Sequence, residues 1–158
     1  MKIGIIVYSQ TGHTLEVAEK LAGKLRAAGH TASIEQIVPF DAEKTPQQRL
    51  PDIRFEKRPD PGPYDALAFG APVQGFSLAK AMKAYMGPLP SLQGKKVALF
   101  TTKHLRFKWT GGTQAISAMR KSCESKGGKV CETGIVTWSG ADRDRQIADL
   151  VDRLSRCF

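Results

Sequence analysis

Apolar runs alternate with amphipathic stretches along the chain, a pattern typical of α/β proteins. The nearly continuous apolar segment from Ile3 to Tyr8 predicts a strand that is covered on both faces. The next segment has the i, i+3, i+4, i+7 spacing of an amphipathic helix, carried by Ala18, Leu21, Ala22 and Leu25. This pattern stops near Gly29, where the helix is expected to end.

The same alternation continues to the end of the chain. Further strands are predicted at residues 31–38, 66–70, 95–102 and 129–137, and the first of these is polar enough to lie near a sheet edge. A helix is predicted with one apolar face made by Leu78, Ala81, Met82, Tyr85 and Met86. Two more helices are predicted, one over residues 112–126 and one with an apolar stripe of Ile147, Leu150, Val151 and Leu154.

Five strands that alternate with helices predict a doubly wound five-stranded parallel sheet with helices on both faces. The chain length fits one domain spanning residues 1–158. The exception to the alternation is residues 39–63, which contain six of the nine prolines, five acidic residues and five basic residues. We expect a long neutral connection there, with a short helical turn near residues 44–50.

The sequence has neither a secretory signal pattern nor an apolar run of the roughly 20 residues that a membrane span needs. These features predict a soluble protein of the cytoplasm. The three cysteines are an odd number and have no C-x-x-C or metal-ligand spacing, which argues against a disulfide framework or a zinc site. We expect them to be small core residues or, for Cys157, a free surface thiol.

Hydroxyl groups and a glycine are concentrated in SQTGHT, residues 9–14, between the first strand and the first helix. Ligands of doubly wound sheets bind at the carboxyl ends of strands, and a helix N-terminus with nearby hydroxyls can hold a phosphate. The alternative is that Ser9, Thr11 and Thr14 only cap the helix. One hydroxyl is enough for a cap, so three around Gly12 favour an anion site.

Other phosphate-binding folds are excluded, because the residues that they require are missing from the corresponding positions of this chain. The chain lacks the G-x-x-x-x-G-K-[ST] motif of P-loop nucleotidases. A receiver domain would need acidic residues after the first and third strands, where this chain has Tyr8-Ser9 and Gly70-Ala71-Pro72. A low-molecular-weight phosphatase would need a cysteine and an arginine in the first loop, and neither is present.

The chain resembles the flavodoxin superfamily from end to end. SQTGHT is similar to that family's FMN phosphate loop, and Thr14, Ala18 and Leu21 keep the T-x-x-x-A-x-x-L spacing that follows it. GAPVQGFS (residues 70–77) and TTKHLRFKWTGG (residues 101–112) resemble the two loops that border the flavin ring. The first loop is one residue shorter than in ordinary flavodoxins and is nearest to the WrbA-type quinone oxidoreductases. The resemblance implies the flavodoxin-like strand order 2-1-3-4-5.

The resemblance also implies non-covalent FMN held by three loops. Its binding residues would be Ser9, Thr11, Gly12, His13 and Thr14 in the first loop, Pro72, Val73, Gln74, Gly75 and Phe76 in the second, and Thr102, Lys103, His104, Phe107, Trp109 and Gly111 in the third. Phe76, Phe107 and Trp109 could each stack on the flavin or belong to the core. His104 could face the flavin or solvent.

Two functions are compatible with this resemblance. One is an electron carrier that docks with other proteins, and the other is an FMN-dependent NAD(P)H:quinone-type oxidoreductase that acts on a small molecule. A flavodoxin-like domain that has lost its cofactor is a third, non-redox alternative. The sequence assigns no catalytic residue and no metal ligand.

Positive charge distinguishes this chain from ordinary flavodoxins, which surround their flavin with acidic residues. The net charge is +9, and residues 66–123 contain no Asp or Glu but nine cations. These are Lys80, Lys83, Lys95, Lys96, Lys103, Arg106, Lys108, Arg120 and Lys121. We expect an acidic redox partner protein or an anionic small molecule. The alternative is that these cations form a solvated basic face. Nucleic acid is disfavoured, because no recognition helix or RNP motif accompanies the charge.

Overall fold

A computed structural model describes residues 1–105, 107 and 110–158. In chain order the strands are β1 (Lys2–Val7), β2 (Thr31–Gln36), β3 (Val38–Pro39), β4 (Phe55–Lys57), β5 (Ala66–Gln74), β6 (Ser77–Leu78), β7 (Lys96–Lys103) and β8 (Lys129–Thr137). The helices are α1 (His13–Ala27), α2 (Lys80–Met86), α3 (Gly112–Ser125) and α4 (Arg143–Ser155). Among the described helices, none combines the length and apolar character needed to cross a membrane.

The main sheet follows the order β2-β1-β5-β7-β8, with every neighbouring pair parallel. This order confirms the predicted flavodoxin-like sheet. Ile3, Ile5 and Ile6 of the central strand β1 are fully buried, as its continuous apolar run predicts. β2 lies at the edge, which explains its more polar sequence.

Helices cover both faces of this sheet. On one face, α1 and α4 share a buried cluster that includes Leu21 and Ile147. On the other face, α2 and α3 bury Met82 and Met119 against the apolar residues of β5 and β7. Each such side chain stabilises the fold by about 1.5–3 kcal/mol relative to exposure.

The second predicted helix begins later than its apolar pattern suggests. Leu78 belongs to β6, which pairs antiparallel with the end of β5, and α2 starts only at Lys80. Leu78 is nevertheless buried beside Met82 in the same core cluster. Leu78 was assigned to the helix because it is apolar and fits the spacing of the helix face. A residue of a short strand can have the same spacing, so the pattern does not separate the two.

Residues 38–63 contain two short strands and two 3₁₀ turns, whereas a long connection with one helical turn was expected over residues 39–63. β3 and β4 pair antiparallel, and 3₁₀ turns occur at Thr45–Gln47 and Leu50–Asp52. The Tyr85 hydroxyl of α2 donates a hydrogen bond of 2.6 Å to the Pro59 carbonyl, which ties this segment to the core. The sequence pattern predicts one helical turn in this segment and gives no sign of the β3–β4 pair.

The expectation about the cysteines is wrong for two of the three. Cys131 and Cys157 form a disulfide, with 5.8 Å between their Cα atoms. Cys131 lies near the start of β8, and α4 packs back along β8 so that its end returns to that position. The 26-residue separation in sequence gives no sign of this return. Cys123 is buried, as expected, and burial raises the pKa of its thiol to about 12.

Candidate functional site

Three loops follow the carboxyl ends of β1, β5 and β7 and border a cleft made of two adjoining chambers, which share Val73, Lys103 and His104. Its first chamber has a volume of about 230 Å³ and is lined by Gln10, Thr11, His13, Pro72, Val73, Gln74, Thr102, Lys103 and His104. Its second chamber has a volume of about 180 Å³ and is lined by Val73, Gly75, Phe76, Lys103, His104, Leu105 and Thr110. Parallel pairing of these strands places their ends at one edge, which is why distant segments meet here.

The first loop exposes a series of backbone donors at the start of α1. Gly12 occupies the N-cap position with φ of 91°, a left-handed conformation that glycine adopts without strain. Within the described chain, none of the backbone N–H groups of residues 10 to 14 has a hydrogen-bond acceptor. Successive free N–H groups at a helix N-terminus attract an anion.

The three hydroxyls of this loop have different roles. The Ser9 oxygen accepts a hydrogen bond of 3.2 Å from the Leu15 N–H, so Ser9 caps the helix while its own proton can still be donated. The Thr14 hydroxyl is buried and lies 2.9 Å from the Thr102 hydroxyl, which joins α1 to β7. Thr11 is exposed in the first chamber, and its hydroxyl is unpaired within the described part of the chain. Capping therefore explains Ser9 but leaves Thr11 for a ligand.

Trp138 lies beside the first loop and was missed by the sequence analysis. Its ring stacks on the His13 ring, with 4.0 Å between ring centroids and 12° between planes. An aromatic residue directly after the strand at Lys129–Thr137 is a signal that could have been noticed, because that strand also ends at this edge of the sheet.

The second loop is a tight hairpin between β5 and β6. Gly75 and Phe76 have φ of 55° and 62°, the two positive values of a type I′ turn. This conformation is ordinary for Gly75 but uncommon for Phe76. The Phe76 side chain is 55% exposed beside the second chamber.

Gln74 connects the second loop to the first. Its amide donates to the Gln10 side-chain oxygen at 2.5 Å, and its side chain also bonds the hydroxyl of Tyr8. Burial raises the pKa of Tyr8, and the hydrogen bond with Gln74 opposes that shift. Pro72 and Val73 line the first chamber, and Pro72 is in register with Thr102 of β7.

The third loop is held by a buried lysine. Lys103 is 9% exposed, and its ammonium donates to the Phe107 carbonyl at 2.9 Å and to the Thr110 hydroxyl at 3.3 Å. None of the ion pairs between described residues includes Lys103. Burial therefore lowers the pKa of Lys103 without a carboxylate to oppose the shift.

The second and third loops touch through Gly111. Gly111 has φ of 102°, and a Cβ atom there would lie 2.5 Å from the Phe76 carbonyl oxygen and 2.7 Å from its Cα. Only glycine permits this approach. Leu105, which the sequence analysis did not select, lines the second chamber near this contact.

Three further residues predicted to bind the cofactor belong to the third loop, and the structure describes two of them. His104 is exposed and lines both chambers, so it faces the cleft and solvent together. Phe107 is 51% exposed, which excludes it from the core. Trp109 lies outside the described residues, as do the cations Arg106 and Lys108.

Several lysines of residues 66–123, the segment without Asp or Glu, donate hydrogen bonds to protein oxygens. Lys80 donates to the Gln48 carbonyl at 2.9 Å, Lys83 to the Ser77 hydroxyl at 3.1 Å, and Lys95 to the Gly62 carbonyl at 3.1 Å. These acceptors are neutral, and none of the ion pairs between described residues includes these lysines, so their charges remain uncompensated within that part of the chain. Lys83 places one of them beside the β5–β6 hairpin.

No protein-family profile matches the sequence, and no curated protein matches it. Solved structures do match. A flavodoxin of Streptococcus pneumoniae TIGR4 aligns over 100% of both chains, with a TM-score of 0.70 and 16% identity. Flavodoxin 1 of Bacillus cereus covers 99% of this chain and 98% of its own, with a TM-score of 0.66 and 17% identity.

The two-electron reduced flavodoxin of Megasphaera elsdenii gives a similar result. It covers 98% of each chain, with a TM-score of 0.67 and 21% identity. At such identities the likeness concerns the fold, and the residues of the cleft must carry any functional argument. The chain has the fold of the flavodoxin-like superfamily.

Proposed function

We propose that the chain is an FMN-binding redox protein that transfers electrons between proteins. The observation that carries this proposal is the position of the free N–H groups of residues 10 to 14 at one end of a cleft bounded by two further loops. Bound FMN would supply one-electron and two-electron transfer. The chain supplies the binding site, the local charge and the exposure of the cofactor.

The phosphate group would bind at the first loop. The backbone N–H groups of residues 10 to 14 provide donors, and the hydroxyls of Ser9 and Thr11 add two more. Thr14 contributes its N–H, because its hydroxyl is engaged with Thr102. This set contains no described carboxylate that would repel a phosphate. The donors therefore fit the group that the fold implies.

The flavin ring would lie between the second and third loops. The second chamber has walls of Val73, Leu105 and the Phe76 region, which suit the faces of a planar aromatic ring. Lys103 and His104 add polar groups at the boundary of the two chambers. An apolar cleft with a few polar groups is the ordinary composition of a cofactor site.

Electron transfer to a protein partner is favoured by the rim of the second chamber. Phe76, Leu105 and Phe107 are large apolar residues with more than 40% exposure at or next to this rim. Clustered apolar exposure of this kind marks interaction surfaces. Together with the uncompensated lysines, it suits a partner that has an acidic ring around an apolar centre. An anionic small molecule is the corresponding substrate if the protein acts as an enzyme.

The alternative function is that of an FMN-dependent NAD(P)H:quinone-type oxidoreductase. It is favoured by the resemblance of the short first loop to the WrbA-type enzymes. The two functions differ in whether a nicotinamide donor reduces the flavin without a protein partner. We expect the FMN-loaded protein to keep its yellow absorbance in excess NADH or NADPH under anaerobic conditions.

Dithionite should bleach the same sample, which verifies that the flavin is reducible. Rapid bleaching by NADPH, followed by repeated turnover with a soluble quinone, would contradict the carrier function and establish the oxidoreductase. The measurement is the flavin absorbance in an anaerobic stopped-flow or cuvette experiment.

A further inference from the structure

We propose that Trp138 positions His13 to bind the phosphate group of FMN. This inference rests on the proposed function, because it concerns the same phosphate site. His13 is the first residue of α1, adjoins the free N–H groups and lines the first chamber. The family resemblance implies that His13 is a binding residue but gives no reason for its orientation.

The stack with Trp138 supplies that orientation. The rings lie 4.0 Å apart and are inclined by 12°, so Trp138 covers one face of the imidazole. Both nitrogens of an imidazole lie in the ring plane, and a stacked partner leaves them open at the ring edge. Within the described part of the chain, neither ring nitrogen of His13 has a hydrogen-bond partner. The imidazole is thus held by its face, and its nitrogens remain available to a phosphate oxygen.

Trp138 is itself fixed by the scaffold rather than by the first loop. The backbone N–H of Trp138 donates to the Lys103 carbonyl at 2.7 Å, which extends the pairing of β7 with β8 by one residue. Its carbonyl accepts a hydrogen bond of 3.1 Å from Arg143, whose guanidinium lies 4.8 Å from the indole centroid. The indole is therefore a platform set by β8 and α4. Such support from packed elements is what keeps a binding group in one geometry.

The test compares FMN with riboflavin, which has the same ring and ribityl chain but lacks the phosphate. Trp138→Leu should weaken FMN binding about 10-fold, the size expected for one charge-assisted hydrogen bond, and leave riboflavin binding within about twofold. His13→Ala should give a similar selective loss. The double variant should lose no more than His13→Ala alone, because Trp138 acts through His13.

Trp138→Phe keeps an aromatic face and is the matched control. It should retain most of the FMN affinity, and any loss should vanish in the His13→Ala background. If the leucine variant does not fold, Trp138→Met, which also removes the aromatic face, gives the same cycle. Equal losses of FMN and riboflavin, or losses that add in the double variant, would overturn the role of Trp138. A wild-type protein that binds neither flavin would instead remove the proposed function itself.

Discussion

Replacing Gly111 with alanine is expected to separate the two loops that border the proposed flavin ring. The new methyl would lie within 3 Å of the Phe76 backbone, and the residue would also have to keep φ of 102°. The left-handed conformation costs about 1–2 kcal/mol for a residue with a Cβ. Overpacking against backbone adds about 1–3 kcal/mol. We expect the free energy of unfolding to fall by about 2 to 5 kcal/mol.

Gly94→Ala is the matched control for this variant. Gly94 has φ of 80°, but a Cβ there would meet no atom of the described residues within 4 Å. The free energy of unfolding of Gly94→Ala should therefore fall only by the cost of the left-handed conformation, about 1–2 kcal/mol. Its FMN affinity should be unchanged. Gly111→Ala should in addition bind FMN at least about tenfold more weakly, because its loops are displaced. Equal stability and affinity in the two variants, measured by denaturant unfolding and flavin titration, would show that the contact with Phe76 is unimportant.

Replacing Lys103 with glutamine is expected to make the bound flavin harder to reduce. Two-electron reduction of FMN adds negative charge to the ring, and a buried ammonium that pairs with no described carboxylate favours that charge. For a separation of about 8 Å and an effective dielectric of about 20 to 40, one charge contributes about 1 to 2 kcal/mol. For a two-electron couple this corresponds to a fall of about 20 to 45 mV.

Two controls separate charge from structure. Lys103→Arg keeps the charge and should have a potential close to that of the wild type. Lys96→Gln removes a charge at the opposite end of β7, roughly 23 Å away at the usual rise of a strand, and should have little effect. A spectroelectrochemical titration at low salt gives the potentials. Unchanged potential in Lys103→Gln would show that this ammonium does not act on the flavin.

The lowered pKa of Lys103 sets the pH range of this effect. Because burial disfavours its charged form, Lys103 loses its proton at a lower pH than an ordinary lysine. The difference in potential between the wild type and Lys103→Gln should therefore be largest at low pH and shrink as pH rises through the folded-state pKa. The glutamine variant has no such ionisation at this position. Arg106 and Lys108, which the sequence grouped with Lys103, lie outside the described residues.

The sequence predicted the parallel sheet well because burial and local periodicity define it. β1 has apolar residues at nearly every position, and α1 has a regular apolar stripe, so each can be recognised alone. Leu78 and the Cys131–Cys157 disulfide were misjudged for a different reason. Their structure depends on which distant segment packs against them, and that information is not local.

The candidate site shows the same division. The run of backbone donors at the start of α1 could be predicted from SQTGHT, because these donors are consecutive in the chain. The different roles of Thr11 and Thr14 could not, since they depend on Thr102, which lies 88 residues beyond Thr14. Trp138 and the contact of Gly111 with Phe76 were missed because each joins two loops through tertiary packing.

Flavin binding by the protein is the central claim and can be measured directly. The apoprotein, prepared by acid precipitation or denaturant dialysis, is titrated with FMN while the quenching of flavin fluorescence is followed. The account predicts one FMN per chain, with a dissociation constant below about 1 μM, equivalent to more than about 8 kcal/mol. Riboflavin should bind more weakly because it does not use the N–H groups of residues 10 to 14. A correctly folded apoprotein that leaves FMN fluorescence unchanged at micromolar concentrations would contradict the account.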